Sequence, residues 1–298
     1  MIAGFHSIST APTIDVPVGS ATWCGGSTGK ADAGRGGGME PTTGDETAVD
    51  GHVHLYPGME AARVFDAAHR NMRHAAPGAV AFCLLLTETS RDGAFGALAS
   101  GRMALGGWHT RRLPQDPAAL IAADGAGREL TLIAGRQIVS VEGIEVLASA
   151  TRVRFSDGRP VAEILQALRS QGTPAILPWG LGKWLGRRGG RVAELVGHGM
   201  PGVLLGDNAG RPPAWPRPRL FDAAPVLPGT DPLPVPDSEE DVGRFGFLLP
   251  GLLDPERPAT DLARRLMTLE SQPTVFGDRR GTLAVLAEQM TLRRTARR

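Results

Sequence analysis

Residues 79–86 read Ala-Val-Ala-Phe-Cys-Leu-Leu-Leu, an unbroken apolar run closed by Thr87-Glu88-Thr89. The run is far too short to cross a membrane as a helix, and it predicts a strand buried on both faces. Such a strand needs a covering layer on each side of its sheet, which already favours an α/β fold. Shorter runs of the same kind occupy 130–134, 138–141, 174–177, 202–205 and 224–227. Amphipathic segments alternate with them. In 60–74, Ala61, Val64, Phe65, Ala68 and Met72 recur at helical spacing, and in 159–170 Val161, Ile164, Leu165 and Leu168 do the same. Further helices are expected over 117–123, 192–196, 259–271 and 280–294, and 144–148 is read as a strand returning across Glu142-Gly143 in a hairpin. This alternation predicts a single α/β domain over residues 50–298, a distorted TIM-like (β/α)7–8 barrel.

Residues 1–49 carry Gly25-Gly26-Ser27 and Gly34-Arg35-Gly36-Gly37-Gly38 with few large apolar groups, and are expected to form a disordered leader. Residues 25–31 have the outline of a phosphate-binding loop. Cys24 stands where its first Gly belongs and Ala31 where a Mg²⁺-binding Ser/Thr belongs, and no strand precedes it, so no nucleotide site is expected there. Lys and Arg number 32 against 31 Asp and Glu, a balance that gives no electrostatic basis for nucleic-acid binding. The two cysteines, Cys24 and Cys83, do not make a disulfide framework. No apolar stretch approaches 18 residues and no secretion signal opens the chain, so the expectation is a cytoplasmic protein with no membrane partner.

Chemistry concentrates in Asp50-Gly51-His52-Val53-His54-Leu55. Val53 and Leu55 alternate with the histidines, so both imidazoles leave one face of an extended segment, where two neutral rings can bind one metal ion. Tyr56-Pro57-Gly58 then turns the chain toward a helix, which puts the pair at the C-terminal end of a strand. Other predicted strand tips are polar too. Trp179, Lys183, Trp184 and Arg187 lie in a glycine-bordered loop whose cations and rings suit a phosphate or carboxylate, or a solvated surface. Asp207-Asn208 and Asp231 follow later strands and suit substrate contact, metal ligation or simple turn chemistry. Glu142 and Glu145 are read as surface groups.

The order of these motifs resembles the polymerase and histidinol phosphatase (PHP) family of metal-dependent barrels. Asp50-Gly51-His52-Val53-His54 is similar to the family's opening D-x-H-x-H, Leu86-Thr87-Glu88-Thr89 falls where it has T-D-H, and Gly229-Thr230-Asp231 falls where it has G-S-D. The early H-x-H and late Asp are also similar to the amidohydrolase superfamily. Several ligands the PHP resemblance implies are replaced here, by Thr89, Gln137, Trp179 and Leu233. Three or four remaining groups cannot hold a trinuclear cluster.

The resemblance therefore implies at most one divalent ion (zinc, manganese or iron) or none. Its ligands would be His52, His54 and Asp231, with Glu88 as a further carboxylate. Asp231 and Lys183 would act in catalysis, and Arg187, Trp179, Asp207 and Asn208 would contact a small anionic substrate such as a phosphate ester. The alternative is a non-catalytic barrel with a degenerate site, serving a protein partner as a binding or assembly module. Trp179 filling the old metal site would mark that second reading.

Overall fold

The apolar runs form the inner strands of two mixed sheets in the computed structural model, which describes residues 44–180 and 182–295. The seven-stranded sheet has the order β12 (Val275–Gly277), β11 (Phe245–Pro250), β1 (Glu46–Val53), β2 (Ala81–Leu86), β5 (Glu129–Ile133), β4 (Ala119–Asp124) and β3 (Trp108–Arg112). The five-stranded sheet has the order β10 (Val226–Gly229), β9 (Val203–Asn208), β8 (Ala175–Pro178), β7 (Glu145–Ser149) and β6 (Gly135–Val139). In the larger sheet the parallel pairs β1–β2 and β2–β5 form the middle and antiparallel pairs flank them. In the smaller sheet the parallel pairs β10–β9 and β9–β8 run to one edge, and antiparallel pairs continue to the other.

Alternation along the strands distributes apolar side chains between two faces. Val49, Cys83, Leu85 and Ile133 from one sheet meet Leu147, Ile176, Leu204 and Leu227 from the other in a shared interior core, to which α5 (Pro258–Met267) adds Leu262 and Leu266. The opposite face of the larger sheet is covered by α1 (Ala61–Ala75) and α2 (Ala94–Ala99), through Val64, Phe65, Met72 and Phe95. The outer face of the smaller sheet is covered by α3 (Val161–Ser170) and α4 (Gly186–Gly197), through Ile164, Leu168, Val192 and Leu195. The double-sided burial predicted for 79–86 is met over Ala81–Leu86, while Val80, ahead of the strand, is exposed.

The barrel expectation is not met. The two sheets are separate, and no strand ladder closes them into a barrel among the described residues. Isolated contacts cross between them instead. Asp231 N–H donates to His52 O (2.8 Å), and Glu88 forms a lone parallel bridge with Arg136, through Glu88 N–H to Gly135 O (3.0 Å) and Gln137 N–H to Glu88 O (2.7 Å). The reason lies in strands that the alternation reading did not anticipate. Residues 117–123, expected as a helix, contain the strand β4, which pairs antiparallel with both β3 and β5. The strands β11 and β12 extend the larger sheet in the antiparallel sense past β1. These additions continue a sheet outward where a barrel would have to turn in.

The first strand begins at Glu46, inside the segment read as leader, and residues 1–43, including the loop-like 25–31, lie outside the described residues. Cys83 is a free, buried thiol. Among the described residues, no helix is long and apolar enough to cross a membrane. Leu204 is 1% exposed in the shared core. Leu204→Ala is expected to cost about 2–5 kcal/mol, through lost transfer energy and a residual cavity, read as a lower midpoint in urea unfolding.

Candidate metal site at the meeting of the two sheets

The end of β1 approaches the end of β10 closely enough that only glycine fits at the contact. A Cβ on Gly51 would lie 2.6 Å from the Pro228 carbonyl oxygen, and one on Gly229 would overlap the His52 backbone. The pairing of β1 with β2 shifts register between Asp50 and Val53, a bulge that re-aims the side chains beyond it. His52 and His54 consequently face one another, with Nε2 atoms 2.9 Å apart and ring centroids at 4.8 Å. Tyr56 stacks on the other side of His54 at 4.9 Å.

Asp231 completes the group from the other sheet. Its Oδ1 lies 3.6 Å from His52 Nε2 and 3.8 Å from His54 Nε2. Its backbone is left-handed, with φ of +49°, a conformation that Asp tolerates better than most residues. Asn208 Nδ2 donates to Asp231 Oδ2 (2.9 Å) and to the Trp179 carbonyl (3.0 Å), which holds one carboxylate oxygen and leaves Oδ1 turned toward the histidines.

A triangle with sides of 2.9, 3.6 and 3.8 Å has a centre about 2.0 Å from each corner, which is the bond length of zinc to imidazole nitrogen and carboxylate oxygen. The donor set also has the right charge. Burial pulls both imidazoles down, that of His54 to about 4 with help from His52, so both rings are neutral near pH 7. Burial opposes ionisation of Asp231, but the positive charge that His52 and His54 take up at low pH, together with that of Lys183 and Arg280, outweighs it and holds its carboxyl below the usual range. Two neutral rings and one carboxylate are the forms that ligate a cation. Support behind the rings is uneven, because His54 Nδ1 is buried without a hydrogen-bond partner and Tyr56 holds that ring by stacking.

The remaining sequence candidates separate. Glu88 does not join the group. Its carboxylate is taken by Arg136 Nη1 (2.9 Å) and by the Phe95 N–H at the start of α2 (2.7 Å). Lys183 pairs with Glu145 at 2.5 Å, near enough for its charge to act on His52 and Asp231. Glu145 is therefore part of the site's surroundings, contrary to the surface reading, and Glu142 accepts from the Val161 N–H at the start of α3. Arg187 is exposed in the first turn of α4. Asp207 points away from the histidines and pairs with Arg211. Trp179 packs in the outer core beneath α4 and against Trp215, so its ring does not fill the histidine site.

Two residues that sequence reasoning passed over complete the arrangement. Asp50 is fully buried and accepts from the Thr230 N–H (2.7 Å), the Thr230 hydroxyl, the Gly243 N–H (2.9 Å) and the His52 N–H (3.3 Å). Arg280, 2% exposed, lies behind Asp231 and donates its backbone N–H to Ala209 O (2.8 Å). Asp50 opens the histidine motif, which was the available signal. Nothing local marked Arg280. Beside Tyr56 a cleft of about 490 Å³ is walled by Thr89, Arg91, Asp92 and Gln137.

No family model matches the chain, and no curated protein matches it. Five solved chains do. PsfC from Pseudomonas syringae PB-5123 is similar at a TM-score of 0.51 with 16% identity, over 85% of this chain and 99% of that one. At that identity the likeness is one of fold alone, and it gives no PHP or amidohydrolase assignment.

Burial pushes the Asp50 carboxyl up to about 6 against its four donors. A group that holds its proton more tightly when folded stabilises fully below its unfolded pKa of about 4, and that contribution is lost as pH rises through 6. In EDTA-treated protein, wild-type stability is expected to fall by about 2–3 kcal/mol between pH 4 and 7 from this group. Asp50→Asn should flatten that slope in urea titrations.

Proposed function

We propose that His52, His54 and Asp231 hold one divalent ion and that the protein hydrolyses a small anionic substrate, a phosphate ester or a related compound. The observation that carries this reading is the common centre about 2.0 Å from three donor atoms, which belong to two neutral imidazoles and one carboxylate. A divalent ion bound there would supply Lewis acidity and an activated water.

The chain's own residues supply the rest. Asn208 fixes the Asp231 carboxylate, so ligand geometry is set before any ion arrives. Lys183, tethered by Glu145, brings a positive charge to the histidine side, where it would meet a substrate anion. The cleft beside Tyr56 offers room for the substrate body, with Arg91 and Gln137 on its wall. Trp179, whose intrusion would have favoured a non-catalytic module, lies in the outer core. The compartment we infer is the cytoplasm, which fits the free thiol of Cys83.

Elemental analysis of the purified protein is the direct test. Near-stoichiometric zinc, manganese or iron is expected, and it should be absent from His52→Ala/His54→Ala. Protein that takes up no ion even from excess would overturn the proposal. Asn208→Ala should keep the ligands yet weaken metal affinity by about 10–100-fold, measured by competition with a chromogenic chelator. With metal present, a phosphomonoesterase screen should show turnover that Asp231→Asn abolishes.

A further inference from the structure

On the other face of β9 lies a second cleft, of about 360 Å³. Asp207 and Asn208 are neighbours in that strand, so their side chains leave opposite faces. Asn208 reaches Asp231, whereas Asp207 receives two hydrogen bonds from Arg211, at 2.7 and 2.6 Å, on the cleft wall. Three guanidinium groups line this cleft, those of Arg211, Arg217 and Arg279, against two carboxylates, Asp207 and Asp278.

The three arginines are not equivalent. Arg211 is held by Asp207 and lies 5.5 Å from the centre of the Phe221 ring. Arg217 lies 5.7 Å from the same ring, pairs with Asp222 and donates to the Phe221 carbonyl at 2.9 Å. Arg279 forms no ion pair among the described residues, and its Nη1 is buried with no hydrogen-bond partner. Burial, and then the charge of Arg211, pull its pKa below the usual arginine value. A guanidinium turned inward, beside like charge and without an acceptor, is what a bound oxyanion would complete. The walls around it are apolar and aromatic, with Phe221, Phe245, Val226 and Pro228.

We propose that this cleft is a binding site for a small organic oxyanion, a carboxylate or phosphate on an apolar body. The anionic end sits on Arg279 and the body lies against Phe221 and Phe245. The site is separate from the histidine cluster, because the β9 backbone lies between them, and it does not depend on metal.

Isothermal titration of the full-length, EDTA-treated protein with phenyl phosphate, benzoate and inorganic phosphate tests this. Saturable binding of phenyl phosphate or benzoate is expected, at least five-fold tighter than inorganic phosphate, and the tighter of the two identifies the head group. Arg279→Gln should weaken it at least ten-fold, while His52→Ala/His54→Ala should leave it within two-fold. Val275→Trp, at a half-exposed position on the rim, should block entry without disturbing the core, and it serves if Arg279→Gln does not fold. The proposal is overturned if neither aromatic anion binds saturably at millimolar concentration, or if inorganic phosphate binds equally well. It is also overturned if binding survives both cleft variants or disappears with the histidines, the last result placing the anion at the metal cluster instead.

Discussion

One buried carboxylate holds the molecule together where its two sheets meet. Asp50 comes from β1, and it accepts from the backbone and hydroxyl of Thr230, beyond β10, and from the Gly243 N–H ahead of β11. Every donor around it belongs to a segment that contributes to the site or borders it. The close approach that lets these donors converge rests on Gly51 and Gly229, since a side chain at either would collide with the facing backbone. Removing the carboxylate would leave several buried N–H groups without an acceptor, at a cost of about 1–3 kcal/mol for each. The histidines follow two and four residues further along, His52 near the end of β1 and His54 just past it, so their placement follows from this anchor.

The same burial that makes Asp50 costly prepares the neighbouring groups. His52 and His54 are almost fully enclosed, which disfavours the imidazolium forms. Asp231 remains ionised because positive groups surround it on the inner side, among them Lys183 and Arg280. Burial thus drives the two imidazoles toward neutrality, while neighbouring positive charge keeps Asp231 ionised against the same burial. The arrangement suits a cation better than it suits a proton.

Much of the local structure was legible. The helix expected over 60–74 is Ala61–Ala75, and that over 159–170 is Val161–Ser170, because a stripe of apolar residues at helical spacing has one good way to be buried. The continuous apolar runs at 79–86 and 202–205 contribute the strands Ala81–Leu86 and Val203–Asn208, which are covered on both faces. What misled was topology. Residues 117–123 contain Ala119, Leu120 and Ala122, whose spacing fits a helix turn as well as a strand, and only pairing with β3 and β5 selects the strand. Glu88 has the position expected of a ligand but spends its carboxylate on Arg136, a partner 48 residues away.

The sequence by itself determined the helices over 60–74 and 159–170, the main buried apolar runs, and that two imidazoles lie close together at the end of one strand, because these depend on periodicity over a few residues. Tertiary structure alone decided that the strands form two sheets and not a closed barrel, that Asp231 and not Glu88 meets the histidines, and that Trp179 turns outward. Those outcomes rest on contacts between residues far apart in the chain, 180 positions for Asp50 with Thr230 and 193 for Asp50 with Gly243. Hydrogen bonds of that kind are selected by the packing of whole layers, for which the local pattern carries no signal.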